Sequence, residues 1–282
     1  MINWFFRILW RLFVFGIGIA ITYLTVTKGW HYLHQQLPAA IVIIIIYLLA
    51  AYIAIPFLIR LWRIVIKPNH IPIYTTSPDG WPVDPVNIAI VARSRKHLIK
   101  RFNRAGWTLT DRSSIKNLLK AAYAMILNKS YPAAPMSKLI LFNRAQDIAF
   151  QAPDERFNTG SPRHRHHVRL WRLEIPEEPD NHHDFWHDLL KLFKRRRAEI
   201  WVGAATHDIS FIAFRRRNLQ ITHRIDSDTN KERDYLIKSF KNTGSLVGKV
   251  EDIASGHELK FNGQTFGVNI IVDGRLKVVR LK

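Results

Sequence analysis

The run from Pro38 to Ile59, PAAIVIIIIYLLAAYIAIPFLI, contains no charged residue. A bilayer core is about 30 Å thick and takes about 20 apolar residues of helix, so this run is long enough to span one. Leu12 to Thr27 is nearly as apolar, and reads as a second span if Arg11 snorkels to the interface. Residues 1–67 carry six Lys+Arg and no acid. Trp4, Trp10, Trp30, Tyr32 and Trp62 stand at the ends of the apolar runs, where interfacial aromatics belong. The expectation is an N-terminal two-helix transmembrane hairpin over 1–67, with spans at about 8–28 and 38–60 joined by TKGWHYLHQQLP. No small-x-small site before Lys28 suggests a cleaved signal peptide. Arg7 and Arg11 before the hairpin, with Arg60, Arg63 and Lys67 after it, place both ends and the following domain in the cytoplasm.

Beyond residue 67 the composition changes. All 22 acidic residues lie there, against 42 Lys+Arg in the whole chain, and the net charge is +20. So basic a balance points to an anionic partner: a lipid headgroup, a phosphorylated ligand or nucleic acid. The chain has no cysteine, which excludes disulfides, Cys-ligated zinc, iron–sulfur clusters and a thiol nucleophile. It contains no Walker loop, GxGxxG, GxSxG or HExxH. RFNRAGW and FRRRN are basic enough to touch nucleic acid, but with a membrane segment and no RNA or DNA motif that partner is set aside.

The Pro-rich run 68–85 reads as an extended tether, and 86–282 as one α+β domain of mixed strands and helices. Strands are expected at 86–92, 138–142, 147–151 and 166–175, two more within 198–214, and a strand-rich C-terminus with turns at Asn262-Gly263 and Asp273-Gly274. Helices are expected at 94–107 with Ser94 as N-cap, at 113–127, and at 181–197. A further helix at 229–240 would have Thr229 as N-cap and Glu232 closing a capping box.

Three clusters carry chemistry. In SPRHRHHVRLW (161–171) an extended chain puts Arg163, Arg165, His167, Arg169 and Trp171 on one face, and His164, His166, Val168 and Leu170 on the other. If Val168 and Leu170 face the core, the arginine row faces solvent or a cleft, where forked guanidinium donors suit a phosphate. Arg224 would complete this anion site. In THRIDSDTNKERD (222–234), His223, Asp226 and Asp228 precede a helix and could hold a divalent ion or supply a general base. Thr206-His207 and Thr222-His223 flank a hairpin that would bring His207 beside His223. In the 181–197 helix His183 and His187 have metal-ligand spacing, yet Phe185, Leu189 and Leu192 with a KRRR end describe a helix on a membrane surface.

The blocks VDPVNIAIVARS, AGWTLTD, YPAAPMSKLILFNRAQDIAFQ, SPRHRHHVRLW, IWVGAATHDIS and QITHRIDSDTNKERDYL, in this order over residues 83–245, resemble the LssY C-terminal domain. That domain often accompanies lipid-phosphate phosphatase or DedA-type membrane modules. The resemblance implies a multi-pass protein of the bacterial inner membrane connected with phosphorylated lipids or envelope transport, and brings no catalytic residues with it. Two functions are expected, the first as the main reading and the second as its alternative. One is a membrane-anchored accessory or binding protein that recognises an anionic phosphorylated lipid through Arg163, Arg165, His167, Arg169 and Arg224. The other is a metal-assisted phosphoester hydrolase using His223, Asp226, Asp228 and His207, with a divalent metal as cofactor. A membrane-protein partner in an export assembly is a third expectation.

Overall fold

The computed structural model describes residues 37–58, 74–78, 80, 82–157, 159–174, 198–215, 220–254, 259–263 and 268–282, with isolated positions before 37. Side chains within 210–223 and 254–269 lie outside the description. The chain divides into two compact units: residues 1–71 with 79–81 and 214–221, and residues 72–78, 82–213 and 222–282.

In the first unit the uncharged run forms a helix, α1 (Ala39–Leu58), with a mean hydropathy of 2.8. Among the described residues it is the one helix long and apolar enough to cross a membrane. Its turns widen to π geometry at Ala50–Ala54, where Ile55 N–H donates to Ala50 O. Pro56 follows at once; a wider turn leaves room for a ring that would otherwise meet the preceding carbonyl. The expected first span, its aromatic flanks and the helix at 181–197 fall outside the described residues apart from isolated positions, so the hairpin reduces here to one described helix.

The second unit runs β1 (Tyr74–Thr76), β2 (Pro82–Pro85), β3 (Ile88–Ala92), α2 (Arg95–Arg104), β4 (Thr108–Leu109), α3 (Ile115–Ile126), β5 (Ile140–Leu141), β6 (Arg144–Ala145), β7 (Ile148–Pro153) and β8 (Arg165–Arg172). It continues with β9 (Glu199–Arg215), β10 (Gln220–Ile225), α4 (Thr229–Asn242), β11 (Glu251–Ala254), β12 (Leu259–Gly263), β13 (Val268–Val272) and β14 (Arg275–Arg280). This is an α+β unit. Its main sheet has the order β11-β14-β3-β9-β8-β7-β4, with β10 also on β9. Along that order β14 and β3 pair in parallel and the other neighbours are antiparallel. A four-stranded sheet, β2-β1-β5-β6, and the ribbon β12-β13 complete the described strands.

Period-two alternation decides what each face of the main sheet meets. Ile88, Ile90, Phe150, Val168, Leu170 and Trp201 point toward α2 and α4, where Leu98, Phe102, Leu236 and Phe240 close one core. Ala89, Val91, Trp171, Ile200, Val202 and Val278 point the other way, onto Val83, Val86 and Leu139. Both faces are therefore covered. The expected tether is in part a structural layer: Thr75, Val83 and Asp84 are buried in it.

The two strands expected within 198–214 are one. β9 lies along β8 from Trp201 to Asp208, and along β3 from Glu199 to Gly203. At Gly203 the β8–β9 pairing leaves no room for a side chain: a Cβ there would lie 2.4 Å from Leu170 Cδ2 and 2.8 Å from Arg169 O. Beyond the end of β3, β10 takes over, and Asp226 N–H donates to His207 O at 2.8 Å. At the N-terminus of α2, Ser94 Oγ accepts from His97 N–H at 3.2 Å, the cap the sequence suggests. At α4 the cap is Asp228, not Thr229; its carboxylate accepts from Asn230 N–H at 3.1 Å. The Asn262-Gly263 turn is displaced: Gly263 still pairs with Val268, and the connection lies outside the described residues.

Candidate metal centre

β8 is a central strand, and that settles the surroundings of its arginines. The face carrying Arg165, His167 and Arg169 looks at the buried layer, not at solvent. Arg165 Nε donates to Asp208 Oδ2 at 3.1 Å, and its Nη1 donates to Gln151 Oε1. Arg169 Nη1 donates to Asp84 Oδ2 at 2.9 Å, and Nη2 to Ser137 Oγ at 3.3 Å. His167 Nε2 and Thr206 Oγ1 lie 2.6 Å apart, and its Nδ1 is 3.5 Å from Asp208. Arg163 closes the end of α3, donating to Met125 O at 2.6 Å and Ile126 O at 2.8 Å. Arg224 is exposed at the end of β10. The five residues expected to clamp an anion are thus separated: Arg165, His167 and Arg169 sit in buried pairs, Arg163 caps a helix, and Arg224 faces water.

The other face of β8 carries the chemistry. His166 lies opposite His207 of β9, and Ala152 of β7 is its neighbour on the other side. Asp154 follows the end of β7, while α4 brings Glu232 and Tyr235 over the same spot. His166 Nδ1 is 2.7 Å from Glu232 Oε2, and His207 Nε2 is 2.9 Å from Asp154 Oδ2. The imidazoles of His166 and His207 stack at 4.4 Å, and Tyr235 stacks on the outer side of His166 at 3.9 Å. The three rings hold one another in orientation. One ligand atom from each of Asp154, His166 and His207 lies within 4.8 Å of the other two, and all three residues are buried.

This cluster forms one wall of a cavity of about 350 Å³, lined also by Glu155, Arg156, Asp226, Asp228, Lys231, Glu232 and Tyr235. Five carboxyls face it against two fixed cations. In a chain of net charge +20, an acid-lined cavity is a place where a cation is electrostatically favoured.

The protonation states agree. Burial lowers the His166 imidazole to about 4, so at neutral pH it offers a lone pair. Burial would raise the Asp154 carboxyl, but hydrogen bonds from the Arg156 side chain and backbone, with His207, outweigh it and hold that carboxyl below its ordinary range. Burial, reinforced by Asp208, Asp154 and Asp226, pushes Glu232 well above the ordinary glutamate range. Its Oε1 is buried with no hydrogen-bond partner among the described residues. Two imidazoles and a carboxylate suit zinc, manganese or ferrous iron. The Glu232 carboxyl on His166 Nδ1 can accept from Nδ1–H, which fixes the tautomer and leaves Nε2 for the ion.

Of the residues expected as catalytic, the structure brings His207, Asp226 and Asp228 to this cavity. Asp226, rather than His223, lies level with His207 across the β9–β10 pairing; the side chain of His223 is outside the described residues. Sequence reasoning missed Asp154, Arg156, His166, Glu232 and Tyr235. His166 carried a visible signal, being a histidine in phase with Val168 and Leu170 on the core-facing side of a strand. Glu232 was assigned to a capping box, which concealed that it could reach another element.

No curated protein and no solved structure matches the chain. A family model described as the LssY C-terminus matches residues 68–276, a span that includes every residue lining the cavity. The chain belongs to the LssY C-terminal family.

Proposed function

We propose that this chain is a membrane-anchored, metal-dependent hydrolase of phosphoesters. The observation that carries the reading is the convergence of Asp154, His166 and His207 on the wall of an acid-lined cavity. Asp154, His166 and His207 would hold the metal, which when bound supplies a Lewis acid and a water acidic enough to ionise near neutral pH. The protein's own groups do the rest. Asp226, beside His207, is placed to accept a proton. Arg156 donates from Nε and Nη2 to Asp154 at 3.0 and 2.6 Å while 68% of its side chain is exposed, so with Asp154 on a metal its guanidinium would be released to a phosphoryl oxygen. Lys231, 76% exposed at the first turn of α4, adds a second cation at the rim.

The phosphate part of the reading is supported by these rim cations and by the basic surface of the chain. A binding function without turnover is less well supported. Its clamp residues lie in internal pairs, and a carboxylate-lined cavity repels a free anion unless a cation bridges them. The test is hydrolysis of a mono- and a diester of p-nitrophenyl phosphate by the full-length protein supplied with zinc, manganese or ferrous iron. Metal-dependent turnover that falls at least about 100-fold in Asp154→Asn is expected. Turnover equal in wild type and Asp154→Asn, or none with any of the three metals, contradicts it.

A further inference from the structure

α3 is amphipathic the wrong way round for a helix in water. Its fully buried residues are the small Ala121 and Ala124, which pack against Tyr131 and Ala134, with Asn117 and Met125 half-buried beside them. Its large apolar side chains point outward. Ile115 is 80% exposed, Leu119 67% and Ile126 66%, and Leu118 and Tyr123 are exposed as well. These positions follow the helical repeat i, i+3, i+4, i+8, i+11, so they form one continuous stripe. The helix is firmly presented. Ser114 Oγ accepts from Asn117 N–H at 3.2 Å at its start, and Arg163 takes the carbonyls of Met125 and Ile126 at its end.

We infer that α3 is an interfacial helix that lays this stripe into the surface of an anionic bilayer. The charges around it fit no other partner as well. Lys116 borders the stripe along the helix, Lys120 follows one turn on with its ammonium 4.0 Å over the Tyr131 ring, and Arg112 and Lys129 lie just beyond the helix ends. From Arg112 to Gln146 the chain has no acidic residue. An apolar stripe edged by cations matches acyl chains below and anionic headgroups above, with the lysine stems lying along the apolar surface. The same chain carries α1, a helix of bilayer length, so a membrane is at hand. The inference does not rest on the metal centre or on hydrolysis.

The absence of cysteine allows a clean test in the full chain. Leu119→Cys, labelled with an environment-sensitive fluorophore, is reconstituted into nanodiscs of phosphatidylcholine alone or mixed with phosphatidylglycerol. A lipid spin-labelled near the headgroup serves as quencher. Lys241→Cys, at the exposed end of α4, is the comparison site. The expected result is blue-shifted emission and lipid quenching at position 119, several-fold stronger with phosphatidylglycerol, and neither at 241. Lys116→Glu with Lys120→Glu in the Leu119→Cys chain should remove that dependence on phosphatidylglycerol. A label that stays in water overturns the inference, as does quenching indifferent to the anionic lipid. A label shielded without lipid quenching also overturns it, because a second copy or another protein would then cover the stripe.

Discussion

Arg169 and Asp84 lie 2.9 Å apart with both side chains almost wholly inside. Two charges taken out of water together are tolerated because each neutralises the other, and removing one strands its partner. Loss of one member of a buried pair costs about 3–5 kcal/mol. Arg169→Ala should therefore lower the unfolding free energy of the domain, read by denaturant titration, by about 3–5 kcal/mol, and Arg169→Ala with Asp84→Ala should recover part of the loss. A single variant as stable as wild type would show that the pair is exposed. The row's alternation was legible in SPRHRHHVRLW, but its burial was not. Asp84 comes from a stretch that reads as a tether, and Asp208 from the neighbouring strand. A pattern within one strand carries no information about what covers it. Glu232 makes the complementary case: a buried carboxyl with one oxygen on His166 and the other with no partner among the described residues. Glu232→Gln keeps the shape and removes the ionisable group. Metal affinity should fall about 10–100-fold, read by competition with a chelating dye, while the fold persists. Unchanged affinity would remove Glu232 from the support of the centre.

The elements place these residues. β9 is long enough to pair with β3 on one part of its edge and with β10 on the next, and His207 and Asp226 meet at that handover. Gly203 permits the close pairing just before it. Gly203→Ala would put a methyl group 2.8 Å from the Arg169 carbonyl oxygen and against Leu170. Overpacking of this kind costs about 1–3 kcal/mol, so a clear fall in thermal midpoint is expected, and a neutral substitution would mean that the β8–β9 pairing is looser than described. Most helices and strands were legible from periodicity: α2, α3, α4, β3, β7, β8 and β14 lie close to where the apolar spacing puts them. The long β9 read as two strands because nothing in a single strand's pattern tells whether its neighbour changes along the way. The α4 cap shifted by one residue because Asp228 and Thr229 are both good caps, and contacts with β13 and the turn after it decide between them: Thr229 Oγ1 donates to Ile271 O, and Arg233 pairs with Asp273.

At the scale of the molecule, charge is sorted. The chain is strongly basic, its N-terminal 67 residues hold no acid, and five of its carboxyls gather on one cavity. An apolar helix of bilayer length and an outward apolar stripe on α3 belong to the same chain. A basic surface collects anions near the protein, and an acid-lined cavity admits them only through a cation. A hydrolase of this design must therefore hold a metal. The measurement is elemental analysis by mass spectrometry of the full-length protein, purified without chelator after growth with zinc, manganese and iron. Asp154→Ala and His207→Ala are analysed beside it, their folding checked by circular dichroism. Near-stoichiometric metal in the wild type, lost in both folded variants, is the result the account predicts. A metal-free wild type, or metal retained equally in both variants, would contradict it.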